Sequence, residues 1–157
     1  TKLTLGSIKY GMISTDPSRE IVFDPAQWVT FEGDSGPYLM YAFARTQSIL
    51  AKARLDGLAP SHGRLNALIH ETERGLVRSI YDFNDTVLGA LRLYKPSIIA
   101  QHLFEMSKQF NRFYREVPVL KAEDKSMVEA RLALVAAFSE TLRVGLGLLG
   151  METVEKM

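Results

Sequence analysis

The sequence predicts an all-α helical bundle. Three observations carry that expectation. Apolar residues recur at spacings of three and four over long stretches, proline and glycine stand where helices begin and end, and no stretch of convincing length alternates apolar and polar as a strand does. The clearest stripe is Ile99, Leu103, Met106, Phe110 and Phe113. It marks one buried face of a helix over 96–115, opening at Pro96, whose missing N–H costs nothing in a first turn, and ending ahead of Pro118.

The other elements follow by the same reasoning. Val128, Leu132, Val135, Phe138, Leu142, Leu146 and Leu149 form a second long stripe, led by Ser126 as N-cap and closed by Gly150. Residues 37–56 read as a helix that opens with Pro37 and ends near Gly57, and 57–64 form the clearest loop. Leu76, Ile80, Phe83, Val87, Leu91 and Tyr94 keep a helical phase through a break at 82–85, which gives two shorter helices. The start differs in character, with a short helix over 3–12, an Asp16-Pro17 turn, an extended Ile21-Val22-Phe23 and a helix over 25–30. Residues 1–35 are therefore expected to be a connector, and 36–157 a helical domain. There is no internal repeat and no low-complexity tract.

Composition sets bounds on function. A chain of 157 residues with 46% apolar and 24% charged residues can bury one core without staples. It has no cysteine, no apolar run near the roughly 20 residues of a membrane span, and no secretory leader pattern. These features point to a cytoplasmic protein without membrane contact. The chain begins Thr1-Lys2-Leu3, which fits a piece of a longer parent at least as well as a mature short protein. A net charge of +1 gives no global pull toward nucleic acid, but the charge is unevenly spread. Residues 36–64 carry Arg45, Lys52, Arg54 and Arg64 against Asp56, and 92–121 carry Arg92, Lys95, Lys108, Arg112, Arg115 and Lys121 against Glu105 and Glu116. The two segments could form one positive face or two ordinary solvated helix faces.

Local patterns that resemble chemistry do not survive their context. Gly145, Gly147 and Gly150 match the spacing of a dinucleotide-binding loop, but they finish a helix where that loop must follow a strand; close helix packing is the better reading. Met106-Ser107-Lys108 lies within an amphipathic helix, and His62, His70 and His102 stand apart from one another, so no metal site is expected. Glu71, Glu73, Asp82 and Asp85 read as helix starts and solvated faces. Nothing nominates a catalytic set.

The aromatic residues divide. Phe83, Phe110, Phe113 and Phe138 fall on the apolar stripes, whereas Tyr38, Tyr41 and Tyr114 neighbour Arg45, Asn111, Arg112 and Arg115. Tyrosine faces and guanidinium planes stack unpaired bases, and asparagine hydrogen-bonds a base edge. Spacing alone leaves these tyrosines between core and surface.

Three stretches together resemble arginyl-tRNA synthetases. The first runs Phe31-Glu32-Gly33-Asp34-Ser35-Gly36-Pro37-Tyr38-Leu39-Met40-Tyr41-Ala42-Phe43-Ala44-Arg45 and continues through Ser48-Ile49-Leu50. The second is Phe110-Asn111-Arg112-Phe113-Tyr114 with Val119-Leu120, and the third is Arg131-Leu132-Ala133-Leu134, then 145–151 and Val154-Glu155-Lys156-Met157. Ser35, Met40, Phe43 and Met151 depart from the usual Thr, Gln, His and Ile. The resemblance implies an anticodon-binding bundle, in the C-terminal part of a class I arginine–tRNA ligase, that grips the arginine tRNA. By position it assigns Tyr38, Tyr41, Arg45, Asn111, Arg112, Tyr114 and Met157 to the tRNA surface. It implies no catalytic residue, metal or cofactor here. ATP and magnesium would serve an absent catalytic domain, the chain's other partner besides tRNA, in a monomeric enzyme. The rival expectation from residues alone is a helical protein-interaction or scaffold module that binds no RNA.

Overall fold

A computed structural model of the chain describes residues 2–22, 24–62, 65–122 and 124–154. Its regular elements are α1 (Lys2–Ile13), α2 (Pro25–Trp28), α3 (Gly36–Leu55), a 3-10 turn (Leu65–Ala67), α4 (Glu71–Tyr81), α5 (Phe83–Leu93), α6 (Ser97–Glu116) and α7 (Lys125–Leu148). Among the described residues there are no strands, and no helix is long and apolar enough to cross a membrane. Phe23, expected at the end of an extended segment, and Gly63 and Arg64, in the expected loop, lie outside the described residues.

The helices begin and end for identifiable reasons. Ser35 caps α3: its Oγ accepts from the Tyr38 N–H at 3.3 Å and donates to the Thr30 carbonyl at 2.7 Å. The α3 chain leaves through Gly57 in the left-handed region at φ 70°. Asp124, not Ser126, is the N-cap of α7; its carboxylate accepts from the Ser126 N–H and, at 2.5 Å, from the Ser126 hydroxyl. The aspartate reaches the free N–H groups with a charged acceptor, and the serine one turn-step inside serves it. At the other end Gly150 takes φ 69°, and the Met151 N–H returns to the Leu146 carbonyl at 2.9 Å, the closing bond of a left-handed helix terminus.

The long helices α3, α6 and α7 share one core, and α4 packs on α6 and α7. Phe110, Phe113 and Phe138 are fully buried, and the rings of Phe110 and Phe138 stack with centroids 4.2 Å apart. Each such ring contributes about 1.5–3 kcal/mol by leaving water. The glycines behave unequally: a methyl at Gly145 would lie 2.5 Å from a Leu103 methyl, so α7 meets α6 closely there, while Gly147 faces open space. Thr46 Oγ1 and Ser139 Oγ satisfy each other across α3 and α7 at 2.8 Å. Fully buried Glu73 meets Arg131 Nε at 2.7 Å, tying α4 to α7.

The first segment is packed into this framework. A methyl at Gly36 would meet the Gly6 carbonyl at 2.9 Å, so α1 and α3 cross backbone to backbone. Tyr10 is buried there; its hydroxyl donates to Asp34 at 2.5 Å and lies 3.2 Å from the Ala100 carbonyl. Lys95 Nζ holds Asp16 at 2.8 Å.

Two local expectations change. Helix α2 stops at Trp28, short of the expected 30. The apolar stripe of the paired short helices fails past Val87, since Leu91 is 67% and Tyr94 86% exposed. Helix α5 is an edge element packed chiefly on α6, and Asp82 breaks the phase between it and α4, so its buried line becomes Phe83, Val87 and Ala90.

Candidate nucleic-acid interface

On α3, Tyr38, Tyr41 and Arg45 stand at i, i+3 and i+7, which places them along one side of the helix. On α6, Asn111 and Tyr114 stand at i and i+3. The α3–α6 contact brings these five together. Arg45 Nη1 donates to Asn111 Oδ1 at 2.8 Å, and Nη2 donates to the Tyr41 hydroxyl at 2.8 Å. Asn111 uses the other end of its carboxamide to donate to the Tyr38 hydroxyl at 2.8 Å. The Arg45 guanidinium carbon lies 4.6 Å from the Tyr41 ring centre and 5.3 Å from that of Tyr114, within cation–π reach of both. Tyr38 is braced edge-on by Phe104 at 5.5 Å, and Lys108 Nζ sits 5.1 Å over the Phe104 ring.

The result is a platform in which hydrogen bonds tie Tyr38, Asn111, Arg45 and Tyr41 together and two tyrosines stay partly exposed: Tyr41 is 40% and Tyr114 43% exposed. Holding the side chains to one another removes the rotamer entropy that a ligand would otherwise have to overcome. A planar π face beside a fixed guanidinium is the surface on which a splayed base stacks.

A groove of about 420 Å³ continues from Arg45 and Tyr114, lined by Ser48, Lys52, Pro118 and Lys121 among others. Its charged lining residues are Arg45, Lys52 and Lys121, with no carboxylate. A negative polymer can therefore run out of the aromatic platform along a cationic path. Lys52 and Lys121 belong to the two basic segments seen in the sequence but were not among the positions assigned to the tRNA surface. The available signal was Lys52 lying seven residues beyond Arg45, two turns along the same side of α3.

Arg112 is placed elsewhere. It points toward α4, with Nε 3.0 Å from Glu116 and Nη1 3.6 Å from Glu71. Its hydrogen bond to Glu116, reinforced by both carboxylates, raises its pKa. Met157 lies outside the described residues. Two of the three histidines have local duties: His70 caps α4 through Nδ1, and His102 Nε2 lies 2.9 Å from the Ser79 carbonyl.

The profile of the DALR anticodon binding domain matches residues 39–157. The chain belongs to the DALR anticodon binding domain family. The match takes in α3 from Leu39 onward and every later helix, including four of the five clustered side chains. The chain is 42% identical over 153 residues to the arginine–tRNA ligase of Bdellovibrio bacteriovorus, covering 97% of this chain and 26% of that protein. It is 34% identical over 154 residues to the arginine–tRNA ligase of Parabacteroides distasonis, covering 98% of this chain and again 26% of the relative. In three dimensions it is similar to the Thermus thermophilus arginyl-tRNA synthetase, with a TM-score of 0.90 and 34% identity over 99% of this chain and 27% of that one. The arginyl-tRNA synthetase of Plasmodium falciparum shares the fold at a TM-score of 0.83 and 22% identity. The DALR domain chain thus spans about a quarter of the length of the curated relatives it matches.

Proposed function

We propose that the chain is the tRNA-reading part of an arginine–tRNA ligase and that it recognises the anticodon region of the arginine tRNA. The observation that carries this reading is the Tyr38–Asn111–Arg45–Tyr41–Tyr114 cluster, a preorganised stacking platform that opens onto a cationic groove. Anticodon loops offer unstacked bases on a bent phosphate backbone, and the two parts of the surface suit those two features. Met157 joins this surface by position, residues 1–35 connect the domain to the catalytic part, and residues 36–157 carry the recognition.

In the complete enzyme, arginine condenses with ATP, pyrophosphate leaves, and the arginyl group passes to the 3′ end of the tRNA. ATP and its magnesium belong to the catalytic domain, as does that chemistry. What this chain adds is binding energy far from the reacting atoms. Such energy accelerates the reaction only where it helps hold the acceptor end in the transition-state geometry. The enzyme works as a monomer in the cytoplasm.

The salt dependence of binding to arginine tRNA tests this reading. Neutralising several phosphates makes affinity fall steeply as salt rises. Absent binding, or binding indifferent to salt, would instead support a protein-interaction module resting on apolar surface.

A further inference from the structure

The hydrogen bonds of the tyrosine platform run in one direction, outward from Arg45. A guanidinium has no acceptor, so both of its 2.8 Å contacts are donations, one to Asn111 Oδ1 and one to the Tyr41 hydroxyl oxygen. The end of the Asn111 carboxamide that faces Arg45 is therefore its oxygen, and the NH2 is the end that donates to the Tyr38 hydroxyl at 2.8 Å. The carboxamide expected from the sequence to meet a base edge is thus engaged at both ends inside the protein.

Tyr41 is in the opposite situation. Its oxygen takes the Arg45 N–H, which turns its own O–H away from the guanidinium, and among the described residues that proton has no acceptor. At 40% exposed, Tyr41 is open to a ligand. What keeps Arg45 on the Tyr41 oxygen comes from α6: Tyr114 offers a ring face 5.3 Å from the guanidinium carbon, and Asn111 offers the hydrogen-bond acceptor. Freed of Asn111, the guanidinium can turn, and the Tyr41 hydroxyl can then accept as readily as donate.

We propose that Asn111 is a positioning residue that makes the Tyr41 hydroxyl an obligatory donor. It anchors Arg45, Arg45 occupies the Tyr41 oxygen, and the platform reads an RNA base through a lone pair of that base, on a carbonyl oxygen or an unprotonated ring nitrogen. A base that turns an N–H to this point meets the Tyr41 proton. Asn111 itself touches no base. The inference rests on the tRNA reading for the RNA that supplies the base, and adds to it the polarity of the contact.

The test is a double-mutant cycle on binding of the arginine tRNA anticodon stem-loop, read beside the nuclear magnetic resonance shift of the Tyr41 Cζ carbon, which responds to what the hydroxyl accepts. Tyr41→Phe keeps the ring and should weaken binding about threefold to tenfold, the worth of one hydrogen bond. Asn111→Leu should also weaken binding and should move the Tyr41 Cζ signal. Because both changes act on one contact, Asn111→Leu should cost at least about threefold less where Tyr41 is already Phe. Asn111→Asp, whose carboxylate still accepts from Arg45, should keep the Cζ signal and the base preference. Thermal melts verify that each variant folds. Costs that simply multiply, or a Cζ signal unmoved by Asn111→Leu, would overturn the proposal. So would a changed base preference in Asn111→Asp, since Asn111 would then be reading a base itself. Should the unaltered chain bind a stem-loop with a substituted anticodon equally well, the anticodon reading fails, and the cycle still decides the role of Asn111.

Discussion

Arg45 of α3 and Asn111 of α6 are joined by a 2.8 Å hydrogen bond from Nη1 to Oδ1, so one contact fixes the proposed recognition surface contributed by both helices. Because Asn111 also donates to Tyr38, loss of the guanidinium releases a carboxamide and leaves two tyrosine rings without their cation. Arg45→Ala is expected to weaken tRNA binding by about tenfold or more, in keeping with roughly 1–3 kcal/mol per stacked base. Arg45→Lys should keep most of the salt slope but little of the lost affinity, since an ammonium cannot reproduce the planar fork. Arg112→Ala should weaken binding less and equally for all anticodons, because Arg112 stands apart from the platform among carboxylates. Equilibrium binding with melts of each variant checks the order.

The parts legible in the sequence were those set by local periodicity. The Ile99-to-Phe113 stripe becomes the buried face of α6, and Pro37 and Gly57 bracket α3. The five clustered candidate residues became visible through a motif, since their spacing left them balanced between core and surface. What could not be read depends on neighbours. Tyr10 gives no sign of burial in the sequence, because what covers it, the α3 crossing and Ala100 of α6, is distant along the chain. Asn111 and Arg112 are adjacent in sequence, yet the turn of about 100° between successive helix positions sends one toward α3 and the other toward α4. Likewise Leu91 continues the spacing seen in the sequence, but the buried line of α5 runs through Ala90 and leaves it exposed.

Glu73 is 0% and Arg131 13% exposed in their side chains, and Glu73 also accepts the His70 N–H at 2.9 Å to close the cap of α4. Removing one partner of such a pair strands the other charge. Glu73→Ala should destabilise the fold by about 3–5 kcal/mol, whereas replacing both residues by apolar ones of similar volume should cost much less. Denaturant melts of the single and double variants measure the difference.

Two aspartates should shape the pH dependence of stability in opposite senses. Loss of water around the Asp34 carboxyl raises its pKa, with the Tyr10 hydrogen bond pulling partly back. Its contribution is full below the ordinary carboxylate pKa and is lost as pH rises through the raised folded value, so Asp34→Asn should gain stability at neutral pH and little in acid. Asp16 is held well below the usual range, first by Lys95 and then by Ser18. Its contribution is present above the ordinary carboxylate pKa and fades as pH falls through the lowered folded value, so Asp16→Asn should lose stability at neutral pH. Melting temperatures across about pH 3 to pH 7 test both.

Tyr94 ends α5 at φ 54° and ψ 37°, the left-handed region, with its side chain 86% exposed. Glycine adopts this conformation without the side-chain clash. Tyr94→Gly is therefore expected to raise stability by up to about 1 kcal/mol, read as a higher denaturation midpoint with unchanged slope.

The most direct test compares the affinity of the chain for arginine tRNA with that for the same tRNA carrying a substituted anticodon, in the unaltered protein and in Arg45→Ala. An anticodon reader built on the tyrosine–arginine platform prefers the native anticodon at every salt concentration, and Arg45→Ala erases the preference. Equal affinity for the two tRNAs in the unaltered protein, or a preference that Arg45→Ala leaves intact, would contradict it.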